Sequence, residues 1–527
     1  MIVDSPNKAI VVETADAANT AFVPDSPTVG RSRTQIIKDS GHYLAATLVA
    51  QGVALVRSLM MPILFMPAQM GVWNLMNVVI SYGEKAQLGL LDGMNKAIPL
   101  MRGEGRHDRT DAMKDSVFWV NLMLAAVAGL VTWLASWFAP QTYAPSLRIV
   151  AVVVFLQLPF SYLFSILRVD NRFGLLSRGV VALSICSTIL ILLLGLRSSD
   201  ALQGALIGLA AAYALTVFYW SIAGRYSFAF RIKLDSLREA LVLGVPLKML
   251  GVFDAVFLSV DRWIIVAMLG ETMLGYYAVA IMVSNLLGLV PGSVASVVYT
   301  RMLERYATDK HPRAIRTLLT MPLRALMALM LVLSSCAMIA VPVVITIFMP
   351  RYVISIPLVQ TLVAGGVFLS IGLFTGTYLI AINRQGLMMK VQIAATLLSI
   401  VGNTLVVNLG YGVQGVAMVT SFAYMCIGFG YTIPAIWFVC GDRIETMKML
   451  VNLVVLVMVM LTATAGAHFL FPAGGSSIRE FFSGLNRLAL VLGCVMFALW
   501  WVNRDGELLA IIRAELRNFR WFSRCRQ

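Results

Sequence analysis

Paired cysteines, clustered histidines and charge are what this chain of 527 residues has least of. Of its six cysteines, Cys186, Cys336, Cys426 and Cys494 fall inside apolar segments, Cys440 at the end of one and Cys525 in the tail. No spacing among them suits a disulfide framework or a zinc site. The four histidines are scattered and form no metal cluster, so no metal ligands are assigned. Only 13% of the residues are charged, against roughly 25% in soluble domains. A basic start leading into a short apolar core is also missing, which argues against a cleaved signal peptide. Clustered nucleophiles and acid pairs are absent as well, so no enzyme is expected, and no catalytic residue or bound cofactor.

What the chain has in abundance is apolar sequence, at 59%. Fourteen stretches are near the roughly 20 residues a helix needs to cross a bilayer: 43–66, 72–97, 116–138, 147–168, 178–197, 201–223, 245–269, 273–299, 319–348, 355–381, 390–409, 412–438, 448–470 and 483–502. The loops between them alternate between basic and nearly charge-free. With the N-terminus in the cytoplasm, roughly 31 of the 41 Lys and Arg lie inside, as the orientation rule for short basic loops requires. Only Arg148, Arg197, Arg351, Arg479 and Arg487 then face outward. The sequence therefore predicts an all-α polytopic membrane protein with both termini cytoplasmic. Its net charge of +15 is accounted for by loops beside anionic headgroups, so no nucleic-acid partner is expected.

Residues 1–38 are polar, carry Pro24 and Pro27 and lack helical periodicity, which predicts a disordered cytoplasmic tail. Residues 503–527 form a basic cytoplasmic tail in which Trp521 and Phe522 could sit at headgroup level.

An internal repeat divides the rest. Asn171-Arg172-Phe173-Gly174-Leu175 recurs as Asn383-Arg384-Gln385-Gly386-Leu387, 212 residues on. Gln203-Gly204 with Tyr213 recurs as Gln414-Gly415 with Tyr424, 211 residues on, and Gly71-Val72-Trp73 as Gly275-Tyr276-Tyr277, 204 residues on. Each match joins spans six apart. Two six-helix lobes of equal orientation, 39–238 and 239–445, are expected around a central cavity, with 446–502 as two added helices. That plan suits a transporter more than a receptor or an anchor.

Ionisable groups in mid-bilayer are costly and usually face a cavity or a partner. Span one carries Arg57. Span two carries Glu84, Lys85, Asp92 and Lys96, and span seven carries Lys248, Asp254, Asp261 and Arg262. On an uninterrupted helix Asp92 and Lys96 fall within about 20° of Lys85, making one charged stripe with Asp92 and Lys96 as an i,i+4 pair. Lys248 and Arg262 likewise fall about 40° apart on span seven, beside a stripe of Asp254 and Asp261. Cations beside titratable carboxylates suit a cavity for an anion. The structural alternatives are snorkelling of Lys96 and Lys248 to the interface and pairing of Asp261 and Arg262 with neighbouring helices.

The run Asp261-Arg262-Trp263-Ile264-Ile265, then Gly270 and Leu274-Gly275-Tyr276-Tyr277-Ala278, resembles the seventh-to-eighth helix junction of Wzx-type polysaccharide and O-antigen flippases. These belong to the multidrug/oligosaccharidyl-lipid/polysaccharide (MOP) exporter superfamily. Asn383-Arg384-Gln385-Gly386 and Gly410-Tyr411-Gly412-Val413-Gln414-Gly415 fit the same group, and the resemblance covers about residues 40 to 500. It implies flipping of an undecaprenyl-pyrophosphate-linked oligosaccharide across a bacterial inner membrane by alternating access, for exopolysaccharide or lipopolysaccharide synthesis. A polysaccharide polymerase or export complex would be a working partner. Arg57, Lys85, Lys248 and Arg262 are the candidate substrate cations, chosen by helix position and face rather than by a family motif. Glu84, Asp92, Asp254 and Asp261 are the candidates for coupling to a proton or sodium gradient. A cation-coupled multidrug exporter of the same superfamily is the alternative, and a non-transporting membrane scaffold a third reading.

Overall fold

The computed structural model describes residues 33–226, 228–440, 447 and 451. Among them it is helical throughout, with fourteen α-helices, two short 3-10 turns and no strand. This is what a chain rich in apolar runs must do in a bilayer, where each backbone N–H and C=O has to be satisfied within its own segment. The helices are α1 Arg33–Leu64, α2 Pro67–Lys85, α3 Leu90–Gly103, α4 His107–Phe138, α5 Ala144–Val169, α6 Phe173–Arg197 and α7 Ala201–Gly224. They continue as α8 Leu234–Phe257, α9 Val260–Met268, α10 Glu271–Asp309, α11 Arg316–Phe348, α12 Ser355–Ala381, α13 Gln385–Asn408 and α14 Gly412–Cys440. Ten are long and apolar enough to cross a membrane, and eleven result if the bent pair Leu234–Pro246 and Lys248–Met268 counts as one span. The expected spans 448–470 and 483–502 and the basic tail lie outside the described residues. So does most of the N-terminal tail, although α1 begins at Arg33, inside the stretch expected to be unstructured.

Two of the expected spans are broken, and this corrects the helical projection of their charges. Span two is split because Leu88 and Gly89 both take left-handed backbone angles, with φ of 51° and 86°. Gly93 N–H then restarts the ladder on the Gly89 carbonyl at 2.9 Å. The glycines here serve close approach: a β-carbon at Gly89 would meet the Gly244 carbonyl, and one at Gly93 the backbone of Ala240 on α8. Span seven is interrupted between Phe257 and Val260. Lys85 therefore does not share a helix with Asp92, nor Lys248 with Arg262.

The described residues form two compact units. The first runs up to Leu64 and resumes over Leu75–Ala255, and the second takes Phe65–Asn74 and the chain from Val256 onward. In the first unit α6 packs between α1 and α7, and α5 between α4 and α7. Its core holds Met94, Ile98, Met113, Tyr162, Ile166 and Trp220, all fully buried. Trp220 stacks on Phe160 at 5.0 Å and donates its indole N–H to the Leu175 carbonyl at 3.2 Å. In the second unit α12 is the central helix, packed by α10, α11 and α14. Small residues let the backbones meet there, as expected for helices associating without a hydrophobic drive between them. Gly372 faces Gly428, and the hydroxyls of Thr375 and Thr432 share a hydrogen bond of 3.1 Å.

One ionic knot ties the basic ends of the first unit. Arg102 from α3 and Lys114 from α4 both donate to Asp170 Oδ1, Lys114 at 3.0 Å, and the Tyr226 hydroxyl donates to Oδ2 at 3.1 Å. Burial disfavours the charged carboxylate, but the Arg102 hydrogen bond and the Lys114 charge outweigh it and hold Asp170 below its usual range. Burial and the same carboxylate push the Tyr226 hydroxyl up. Residues 228–233 are strapped to α4. Ser116 Oγ accepts from Lys233 N–H at 3.0 Å, Trp119 donates to the Ala229 carbonyl at 3.1 Å, and Phe118 stacks on Phe228 at 4.2 Å.

Candidate functional site

Polar groups from α2, α3, α5, α7 and α8 converge on a cavity of about 380 Å³ inside the first unit. The broken span makes this possible. Because the chain turns at Leu88–Gly89, Glu84 at the end of α2 and Asp92 at the start of α3 both reach the cavity lining. Lys248 enters from α8, whose backbone lies against α3 at Gly89 and Gly93.

Lys248 Nζ stands 3.7 Å from Asp92 Oδ2. That is an ion pair longer than a hydrogen bond, and Asp92 Oδ2 is buried without a hydrogen-bond partner. The expected Asp92–Lys96 pair does not form, and Lys96 is exposed. With the helix restarted at Leu90, Asp92 finds its cation on α8 rather than one turn further along α3. Lys85 lies 4.0 Å from Glu84, and Lys248 interacts electrostatically with Asp92, Lys85 and Glu84. Four candidates, Glu84, Lys85, Asp92 and Lys248, thus form one cluster of alternating sign. Arg57 joins its edge. Its Nη1 donates to Ser187 Oγ on α6 at 2.6 Å, and Tyr213 of the cavity lining interacts with both Arg57 and Glu84.

The remaining candidates lie elsewhere. Asp254, on α8, is half-buried and belongs to the first unit. Asp261 and Arg262 belong to the second. Asp261 is buried, accepting from the Tyr277 hydroxyl at 2.6 Å and from the Arg262 backbone N–H at 2.8 Å. Arg262 is half-buried and its Nε has no hydrogen-bond partner.

The candidate list omits part of the lining: one further cation, Arg168, and the uncharged Gln157, Ser161 and Ser165 reach the cavity from α5, and Gln87 and Asn95 from the α2–α3 region. Gln87 and Gln157 are 4% and 8% exposed, and each has an amide oxygen without a hydrogen-bond partner. The signal was present in the spacing. Positions 157, 161 and 165 recur every fourth residue and line one face of an otherwise apolar helix. Such a cavity can hold a polar, hydroxyl-rich or charged group away from lipid. Among the described residues no three His, Cys, Asp or Glu are grouped to hold a metal ion.

The fold places the chain in a class. A structure described as the lipid II flippase MurJ in an inward closed conformation is similar, with a TM-score of 0.66 over 88% of this chain and 99% of that one at 16% identity. An inward-facing multidrug resistance MATE family transporter of the MOP superfamily matches with a TM-score of 0.60 over 80% and 96%, at 15% identity. A MOP superfamily transporter from Pyrococcus furiosus matches with 0.55 over 78% and 95%, at 16% identity. The all-helical fold is the one these three structures share. Residues 63–357 match the family described as polysaccharide biosynthesis protein, and the chain belongs to that family. No curated protein matches it in sequence.

Proposed function

We propose that this protein flips an undecaprenyl-pyrophosphate-linked oligosaccharide from the cytoplasmic to the periplasmic leaflet of a bacterial inner membrane. The observation that carries the reading is the cluster of Lys85 and Lys248 beside the polar cavity, with Arg57 at its edge, in a chain of a polysaccharide biosynthesis family. A pyrophosphate cannot cross hydrocarbon unaided, and ammonium and guanidinium groups replace its lost hydration through charge-assisted hydrogen bonds. The amides and hydroxyls of Gln87, Asn95, Gln157 and Ser161 suit sugar hydroxyls. Asp92 keeps Lys248 compensated while no anion is present.

The cycle runs by alternating access, with both termini cytoplasmic. Glu84, Asp92, Asp254 and Asp261 are its candidates for coupling to a proton or sodium gradient, because a carboxylate that changes charge during the cycle links transport to that gradient. Arg262 remains a substrate cation candidate from the second unit. A polymerase or export complex that uses the flipped repeat unit is the expected partner.

A second reading, a cation-coupled multidrug exporter, is favoured by one observation. Glu84 and Asp92 share the cavity with Phe160, Phe164 and Tyr213, a lining that also suits an organic cation. Deleting the gene separates the two. Loss of surface polymer, with complete lipid-linked repeat units trapped on the inner leaflet, supports the flippase. Unchanged polymer with increased sensitivity to cationic drugs overturns it in favour of the exporter.

A further inference from the structure

A second cavity, of about 460 Å³, opens at the junction of α5, α6 and α7, at the opposite end of α6 from Arg197. Arg172 and Arg178 line it together with Phe173 and Tyr219. Arg172 is fixed. Its Nη1 donates to the Gly224 carbonyl at 2.6 Å and its guanidinium lies 5.2 Å from the Tyr226 ring centre. Arg178 is exposed and has neither an ion pair nor a hydrogen bond among the described residues. Arg172 and Arg178 sit at and just inside the start of the apolar helix α6, with aromatic side chains lining the same cavity.

The cation-on-ring contact and the second basic position recur 212 residues on. Arg384 lies 5.1 Å from the Phe438 ring centre, as Arg172 lies over Tyr226, and Lys390 stands in the place of Arg178, also exposed and without an ion pair among the described residues. Asn171 and Asn383, which precede the two arginines, share a left-handed backbone, with φ of 55° and 57°. An arginine on an aromatic ring with an exposed cation six residues later is thus built twice, in separate units. Arg178 and Lys390 make no ion pair among the described residues.

We propose that these two basic pairs, Arg172 with Arg178 and Arg384 with Lys390, are binding sites for the phosphate of an anionic phospholipid headgroup. They would hold each unit at the leaflet it faces. The inference is independent of the transported substrate, since it involves none of the cavity cluster. A cation near an anionic surface favours binding about fivefold.

The test uses the full-length protein in detergent, with bound lipid counted by native mass spectrometry during titration with phosphatidylglycerol or phosphatidylethanolamine. The wild type is expected to retain phosphatidylglycerol in preference. Arg178→Ala and Lys390→Ala should each weaken one site about fivefold, and the double variant should lose the preference. Arg178→Lys should keep it, which separates loss of charge from loss of fold. Equal retention of the two lipids by the wild type, or an unchanged preference in the double variant, would overturn the proposal. Displacement of the lipid by millimolar inorganic phosphate at constant ionic strength would also overturn it, assigning the sites to a soluble anion.

Discussion

Gly71 on α2 and Gly275 on α10 meet backbone to backbone in the second unit. A β-carbon at Gly71 would fall on the Glu271 carbonyl, and one at Gly275 on the Pro67 carbonyl. The contact is reciprocal, because Pro67 and Gly71 are each 204 residues from Glu271 and Gly275. Nearby the Tyr352 hydroxyl donates to the Phe65 carbonyl at 2.9 Å and closes the same end.

Gly71→Ala and Gly275→Ala should each destabilise the protein by about 1–3 kcal/mol, the usual range for overpacking, since the clash is with backbone that no rotamer relieves. The double variant should cost less than the sum, because helices already forced apart by one methyl admit the second more easily. Thermal unfolding of the purified protein in detergent reads both effects. Unchanged melting temperatures for the two single variants would show that the crossing is looser than described.

The Asn-Arg-x-Gly-Leu motif was legible as a repeat because its residues are tied to one local geometry. Asparagine tolerates the left-handed turn that ends α5 and α12, and the Arg172 and Arg384 N–H groups close back on the Leu167 and Leu379 carbonyls, both at 2.8 Å. The apolar spans were legible for the same reason that hydropathy works at all: lipid permits few alternatives. The break at Leu88–Gly89 was not legible, since a left-handed leucine follows no local preference and the α8 backbone packed on Gly89 comes from far along the chain. The Asp92–Lys248 pair depends on that same tertiary contact. The polar stripe of Gln157, Ser161 and Ser165 was readable from its spacing, but attention to charge alone passed over it.

The two asparagines can be tested directly. Asn171→Gly and Asn383→Gly should be close to neutral, whereas Asn171→Val and Asn383→Val should each cost about 1–2 kcal/mol, the penalty for a side-chain-bearing residue in the left-handed region. Equal behaviour at the two positions is expected from the repeat. A valine tolerated at one site and not at the other would mean that the turns are not equivalent.

Asp170 sets an acid limit. Its carboxyl is held below the usual range by Arg102 and Lys114 in the folded protein, so its contribution is present above the unfolded value of about 3.9. That contribution is lost as pH falls through the lower folded value. Melting temperature should therefore show no Asp170-dependent change between neutrality and about pH 5, and an acid decline below about pH 4. Asp170→Asn should lower stability at neutral pH by about 1–3 kcal/mol, leaving Arg102 and Lys114 without their acceptor, and should remove this part of the acid decline. A variant with wild-type stability at pH 7 would show that the knot contributes little.

Asp92 and Lys248 have two possible relationships, and a charge swap tells them apart. If Lys248 meets the phosphate of the substrate, its sign at that position is fixed by the ligand, not by Asp92. Lys248→Met should then lower export about tenfold, near the lower end of what one charge-assisted hydrogen bond contributes, while membrane levels of the protein stay normal. Lys248→Arg should retain most activity. Asp92→Lys combined with Lys248→Asp should fail, although it preserves the ion pair. The 3.7 Å separation, longer than a hydrogen bond, already argues that the pair itself is a weak structural link. Export by the swapped protein at wild-type levels would reverse the assignment. It would make the pair a structural device and move the search for the substrate cation to Lys85 and Arg57.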